Sequence, residues 1–179
     1  MRKIVISFGL AAGAIMIACI FLEGTLVSRG IVQTAWMEMI GYATMLVSLS
    51  MVFFGIKSYR DNHAGGVITF WKGFQIGVLI SLIASVLYFC GGELYNAVNP
   101  DFFPKVMERV TEQQKISMKE KGATDEEIAK KDEELANIMT LFKNPLLRFA
   151  VFLMEMFPIG VIITLISAAL LRRREFLPA

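Results

Sequence analysis

Charge is thin in this sequence. Only 19% of its 179 residues are Asp, Glu, Lys or Arg, while 55% are hydrophobic, and the mean hydropathy is +0.58. A water-soluble domain of this length carries about a quarter charged residues and cannot hide so much apolar side chain in one core, so the chain is expected to be membrane-embedded. Histidine is nearly missing, with His63 standing alone, and the only cysteines are Cys19 and Cys90. That set cannot complete a four-ligand zinc site, and no C-x-x-C supplies a redox pair. A net charge of +2 lacks the basic excess of a nucleic-acid binder. H-E-x-x-H, G-x-S-x-G and a phosphate-binding glycine loop are also absent, and no second His exists to partner a Ser or Cys. The expectation is a protein with no catalytic, metal or cofactor site, where enzymatic chemistry would have to come from carboxylates alone.

What the chain does hold is four apolar runs. A bilayer core of about 30 Å needs roughly 20 apolar residues as helix. Ile4 to Leu22, Met39 to Ile56 and Gly73 to Gly92 are free of charge, and Phe149 to Leu171 is interrupted only by Glu155, with Pro158 within the next turn. The first run follows Met1-Arg2-Lys3 and contains Ala18-Cys19, faintly like a lipoprotein cleavage site. It continues through Ile20, Phe21 and Leu22, past where a cleavable signal ends its apolar region, so it is read as a retained span with removal as the alternative.

Lys and Arg in short flanks stay on the cytoplasmic side. Arg2 and Lys3 precede span one; Lys57, Arg60 and Lys72 sit between spans two and three; Arg172, Arg173 and Arg174 follow span four; the loop between spans one and two holds Arg29 alone. Both termini are therefore expected inside. The whole chain, 1–179, reads as one all-α integral membrane domain of four transmembrane helices, with the 99–145 insert between spans three and four as an extracytoplasmic helical hairpin.

That insert is a different material, holding 18 of the 34 charged residues. Phe103, Val106, Val110 and Ile116 suggest one helix, begun by the Asn99-Pro100-Asp101 turn and ended by Lys121-Gly122. Thr124 with Glu127 forms a capping-box signature, and Ile128, Leu135, Ile138 and Phe142 follow on one face of a second helix, stopped at Asn144-Pro145. The insert is read as a solvated cap that buries one stripe, or as a partner-binding surface.

In lipid there is little hydrophobic drive between helices, so small residues that admit close backbone approach contribute much of the association. Span one has Gly9 and Gly13. Span three carries Gly73, Gly77, Ser81 and Ser85 in an unbroken four-residue ladder, span two repeats Gly41, Ser48 and Gly55, and span four has Gly160, Thr164 and Ala168. These stripes argue for a bundle packed within the chain, with homodimerisation through Gly9 and Gly13 as a weaker option.

Each span also carries one carboxylate. Glu23, Glu38, Glu93 and Glu155 lie roughly 30, 28, 32 and 26 Å from the basic residue at the cytoplasmic end of their own helix, at about 1.5 Å per residue. The plain reading is four Glu hydrated where the helices enter the outer headgroup region; the sharper one is a shared acidic vestibule for protons or cations, centred on Glu155. At about 100° per residue Glu155 points about 140° from Gly160 and 180° from Thr164, off the small-residue seam. Pro158 removes a helix hydrogen bond and frees the carbonyl of Met154 beside it. Cys19 and Cys90 read as buried free thiols, His63 as a solvated loop residue, and Trp36 and Trp71 as aromatic-belt residues.

Between spans two and three, Gly55-Ile56-Lys57-Ser58-Tyr59-Arg60-Asp61 leads to Gly65-Gly66-Val67-Ile68-Thr69-Phe70. Lys57, Tyr59 and Arg60 suit a membrane interface, Asp61 can pair with Arg60, Gly65 and Gly66 permit reversal, and Thr69 is placed as an N-cap. The stretch reads as a topogenic turn, or as a site for lipid headgroups or a partner. With Glu155-Met156-Phe157-Pro158-Ile159-Gly160 onward to Leu171, these segments resemble the bacterial four-helix membrane family catalogued as domain of unknown function 4199. The resemblance covers essentially the whole chain. It implies a small bacterial envelope protein of this topology, in the cytoplasmic membrane, and brings no activity, substrate, cofactor or functional residue with it. Two functions stay open: a non-enzymatic scaffold or accessory subunit presenting 99–145 to an envelope partner, and a small proton- or cation-coupled transporter using Glu155 with Glu93 and Glu38. Membrane lipid is the one partner common to both, and the oligomeric state is not readable.

Overall fold

A computed structural model describes residues 1–29, 31, 36–120, 122–141 and 143–172. Six helices follow one another among them: α1 (Arg2–Ser28), α2 (Met37–His63), α3 (Phe70–Val98), α4 (Phe102–Glu120), α5 (Asp125–Leu141) and α6 (Pro145–Leu171). Arg173, Arg174, Lys121 and Phe142 lie outside the described residues, as do the side chains of Glu38, Phe103, Val110, Leu135 and Ile138. α1, α2, α3 and α6 are long and apolar enough to cross a membrane, because an unbroken helix satisfies every backbone amide within itself where lipid offers no partner. At 27 to 29 residues each reaches about 40 Å, some 10 Å more than the hydrocarbon core. These are the marks of a multi-pass membrane protein.

The helices outrun the uncharged runs because their capping residues lie outside them. Thr69 caps α3, its hydroxyl accepting from the Lys72 amide at 3.3 Å. Asn144 accepts from the Leu146 amide at 2.9 Å, with Pro145 as the first residue of α6. Asn144-Pro145 therefore starts the last helix as well as following the fifth, since proline at the first helical position lacks only an amide that would be unpaired there anyway. At the other end, Lys57 to Asp61 belongs to the last two turns of α2 rather than to a loop, and His63 is the final residue of that helix. Nothing in the sequence breaks the helix before Gly65 and Gly66, whose φ values of 61° and 84° make the reversal.

α3 packs most extensively on α1 and α6, and α2 fills the space between all three, so that α1 and α6 lie on opposite flanks of the α2/α3 pair. The small-residue stripes of α3 and α6 meet in antiparallel register. A Cβ added at Gly73 would lie 3.3 Å from the Ala168 Cβ, one at Gly77 2.5 Å from the Thr164 Cγ2, and one at Gly160 2.7 Å from the Ser81 Cβ. Gly9 and Gly13 face Ile83 and Leu87 of α3 in the same way, so their face is occupied within the chain and is not free for the homodimer considered from sequence. Gly55 lies against Ile80 and Phe8, whereas Gly41 has no neighbour within 4 Å of its added Cβ.

Buried hydroxyls find backbone or each other: Ser48 donates to the Ala12 carbonyl at 2.8 Å, Ser85 to the Ser81 carbonyl at 2.9 Å, and Ser81 meets Thr164 at 3.5 Å. The centre of the bundle is an apolar plug of Leu49, Val52, Ile56, Ile76, Ile80 and Met156, all 0% exposed. Large apolar side chains also cover the outside, among them Leu46, Val47, Met154 and Leu170, as a lipid solvent requires.

α4 and α5 touch each other more than either touches the spans. Gly122, at φ 80°, turns the chain between them. The capping box forms as its sequence implies, the Thr124 amide donating to Glu127 Oε2 at 2.8 Å and the Glu127 amide to Thr124 Oγ1 at 3.3 Å. Lys115 bridges across to Asp132 at 2.8 Å, and Lys131, donating to Glu134, holds that carboxyl below the usual carboxylate range. Ile128 is buried, but Ile116, expected on the buried stripe, is 58% exposed, although its neighbour Lys115 reaches Asp132 of α5.

Candidate functional site

The ends of α1 and α3 and the starts of α2 and α6 come together at one end of the bundle, opposite the Gly65-Gly66 turn. The sequence places a carboxylate from each span there, and the structure sorts them. Glu23 accepts a hydrogen bond from Thr44 Oγ1 of α2 at 2.6 Å. Tyr88 of α3 donates to Glu155 Oε2 at 3.3 Å. Glu93 is held by Arg148 of α6 at 2.8 Å.

Tyr88 is the hinge of this arrangement. Its ring lines a cavity of about 230 Å³ and a smaller one of about 50 Å³, and Glu23 lines both. Glu23 and Glu155 thus stand on two sides of one phenol, although they come from helices on opposite flanks. Glu93 is drawn off to Arg148 and is neutralised. Glu38 lies in the first turn of α2, and its side chain is not among those described. Glu155 itself is exposed on the outer surface of α6, as its angle from Gly160 and Thr164 requires. α6 runs through Pro158 without interruption.

The larger cavity is walled by aromatics. Tyr95, buried beneath it, packs edge-on to Phe21 at 5.1 Å and to Phe102 at 4.9 Å, and Tyr88 lies 5.0 Å from Phe152. Gly24 admits the Tyr95 ring, since a Cβ there would collide with it, and Gly92 admits Phe152. Below the smaller cavity, beyond Met16 and Met45, the apolar plug closes the bundle. Among the described residues no group of three His, Cys, Asp or Glu is placed to hold a metal ion; Cys19 and Cys90 are both free thiols, but Cys19 is half-buried and Cys90 exposed on the bundle surface rather than buried.

Arg148 and Tyr88 were not singled out from the sequence. Arg148 could have been found by applying the depth ruler to basic residues, since it opens the fourth apolar run at the level of Glu93. At the opposite end, Arg60 Nε pairs with Asp61 Oδ1 at 2.7 Å, Tyr59 stacks on His63 with 5.9 Å between rings, and Lys57 is exposed. The Gly66 amide returns to the Arg60 carbonyl at 2.9 Å, locking the turn onto the helix end.

A family model described as Protein of unknown function (DUF4199) matches residues 7–173. The chain belongs to this family. The match takes in all four spans and the insert, so the DUF4199 unit is the whole bundle and not one part of it. Among curated proteins and among solved structures, nothing matches this chain. Chemistry for this DUF4199 protein therefore has to come from its own geometry.

Proposed function

We propose that this protein is a non-enzymatic scaffold or accessory subunit of a bacterial cytoplasmic membrane, with both termini inside, which presents residues 99–145 on the outer side to an envelope partner. The observation that carries this reading is the looseness of the insert beyond its root: Phe102 packs on Tyr95, but among the described residues α4 and α5 otherwise lean on each other more than on any span. The bundle reads as an anchor, its four spans closed on one another by small residues and an apolar plug. Crosslinking in native membranes followed by purification tests it. An envelope protein should be captured by the full chain and lost on deleting Lys105 to Lys143, while membrane insertion survives. Recovery of the free chain alone would sink the idea.

A second reading, a small proton- or cation-coupled transporter, is favoured by Glu23 and Glu155 flanking Tyr88. Against it, the middle of the bundle is filled by Leu49, Ile76, Ile80 and Met156 with hydroxyls such as Ser48 and Ser81 already hydrogen-bonded, and among the described residues no carboxylate lies near the midplane, where transport sites usually lie. Flux measured in liposomes, with loss on Glu155→Gln, separates it from the scaffold reading.

A further inference from the structure

We propose that the aromatic cavity beside Glu23 binds an organic ammonium group. Four rings line it, those of Tyr88, Tyr95, Phe102 and Phe152, and among the described residues no Lys, Arg or His does. Ring faces attract a cation through their quadrupole, and cages of such rings are the usual way of recognising quaternary ammonium. Glu23 supplies the full counter-charge. Thr44 donates to one of its oxygens, and no other hydrogen bond to Glu23 is found among the described residues.

Other ligand classes fit worse. An anion would meet Glu23 with no cation in the wall. A divalent metal ion needs six or so oxygen ligands, and these walls offer one carboxylate and the Asn96 amide among rings and aliphatics. A neutral acyl chain would leave the carboxylate facing hydrocarbon. An ammonium carrying methyl or methylene groups satisfies both the charge and the rings. The volume of about 230 Å³ falls below the ~300–1,000 Å³ of sites for drug-sized molecules, so the occupant is a group the size of choline or ethanolamine. Phe102 is the first residue of α4, so an occupied cavity bears directly on the root of the insert.

The same chemistry is carried by a lipid headgroup and by a free amine. The test uses the full chain in an uncharged detergent, titrated with choline chloride against sodium chloride of equal ionic strength, with the thermal midpoint as readout. Choline should raise the midpoint saturably and sodium should not. Nanodiscs then identify the source. If phosphatidylethanolamine raises the midpoint and blunts the choline response relative to phosphatidylglycerol, the headgroup is the occupant; an equal choline response in both lipids assigns a free amine. Glu23→Gln, which keeps an acceptor for Thr44, should weaken choline about tenfold or more. Glu93→Gln, outside the cavity, should leave the response intact. Should Glu23→Gln fail to fold, Phe102→Leu carries the test with weakened binding expected. Equal midpoint shifts with choline and sodium, or folded variants with an unchanged choline response, would overturn the assignment.

Discussion

Arg148 Nη2 lies 2.8 Å from Glu93 Oε2 and ties the first turn of α6 to the last turns of α3. Both side chains are partly buried, at 22% and 33% exposed, and the Arg148 Nε is buried with no hydrogen-bond partner among the described residues. Arg148→Met leaves the Glu93 carboxylate alone among apolar neighbours and should cost about 1–3 kcal/mol. Adding Glu93→Gln should recover much of that loss. Unfolding in detergent, taken round the double-mutant cycle, measures it; a double variant as unstable as Arg148→Met alone would mean that the ion pair is not the source.

The glycines divide by what a methyl would meet. Gly77→Ala places its Cβ 2.5 Å from Thr164 in the α3/α6 seam, so destabilisation of about 1–3 kcal/mol is expected. Gly41→Ala meets nothing within 4 Å and should be neutral or stabilising by up to about 1 kcal/mol, as alanine is the better helix former. Thermal midpoints of the two variants in one detergent compare them directly, and the idea of a seam fails if they match.

Gly65 and Gly66 have open space around them, so their requirement is purely conformational. Each holds a positive φ, and alanine at either should cost roughly 1–2 kcal/mol. Denaturation midpoints check this.

Thr124→Ala removes the capping box of α5 and should cost that helix about 0.5–2 kcal/mol. Because α5 is detached from the spans, the loss should be local. Hydrogen exchange is expected to quicken over Asp125 to Ala129 with the bundle unchanged; uniform quickening would show that the insert and the bundle unfold together.

Sidedness is open to labelling. In a chain with Cys19 and Cys90 replaced, a cysteine at Glu120 should react with an impermeant reagent from outside intact cells, and one at Asn62 should not. The reverse pattern would invert the proposed orientation.

The four spans were readable because lipid imposes a length on apolar runs. Their true ends were not, because a helix continues through the interface until a cap or a glycine stops it: Lys57 to Asp61 joins α2, and Asn144-Pro145 opens α6. The ladder of Gly73, Gly77 and Ser81 pointed to close packing, yet which stripe met which depended on register between helices, so Gly9 and Gly13 were open to two uses until α3 was seen to occupy them. The depth ruler put Glu23, Glu93 and Glu155 at one end, but depth is one coordinate. Whether carboxylates at the same height meet depends on azimuth around the bundle, which gave Glu93 to Arg148 and left Glu23 and Glu155 to share Tyr88.

The order of the helices along the chain adds a constraint in time. The α3 ladder is complete once Val98 is made, but its counterpart on α6 follows only after the whole insert, and at 5–20 residues per second Leu171 appears roughly 4–15 s later. During that interval three spans present a narrow groove floored by Gly73 and Gly77 to the surrounding bilayer. The seam that Gly73 and Gly77 make with Ala168 and Thr164 is therefore completed only when the last span has been made, so the whole charged insert is synthesised before the bundle can close.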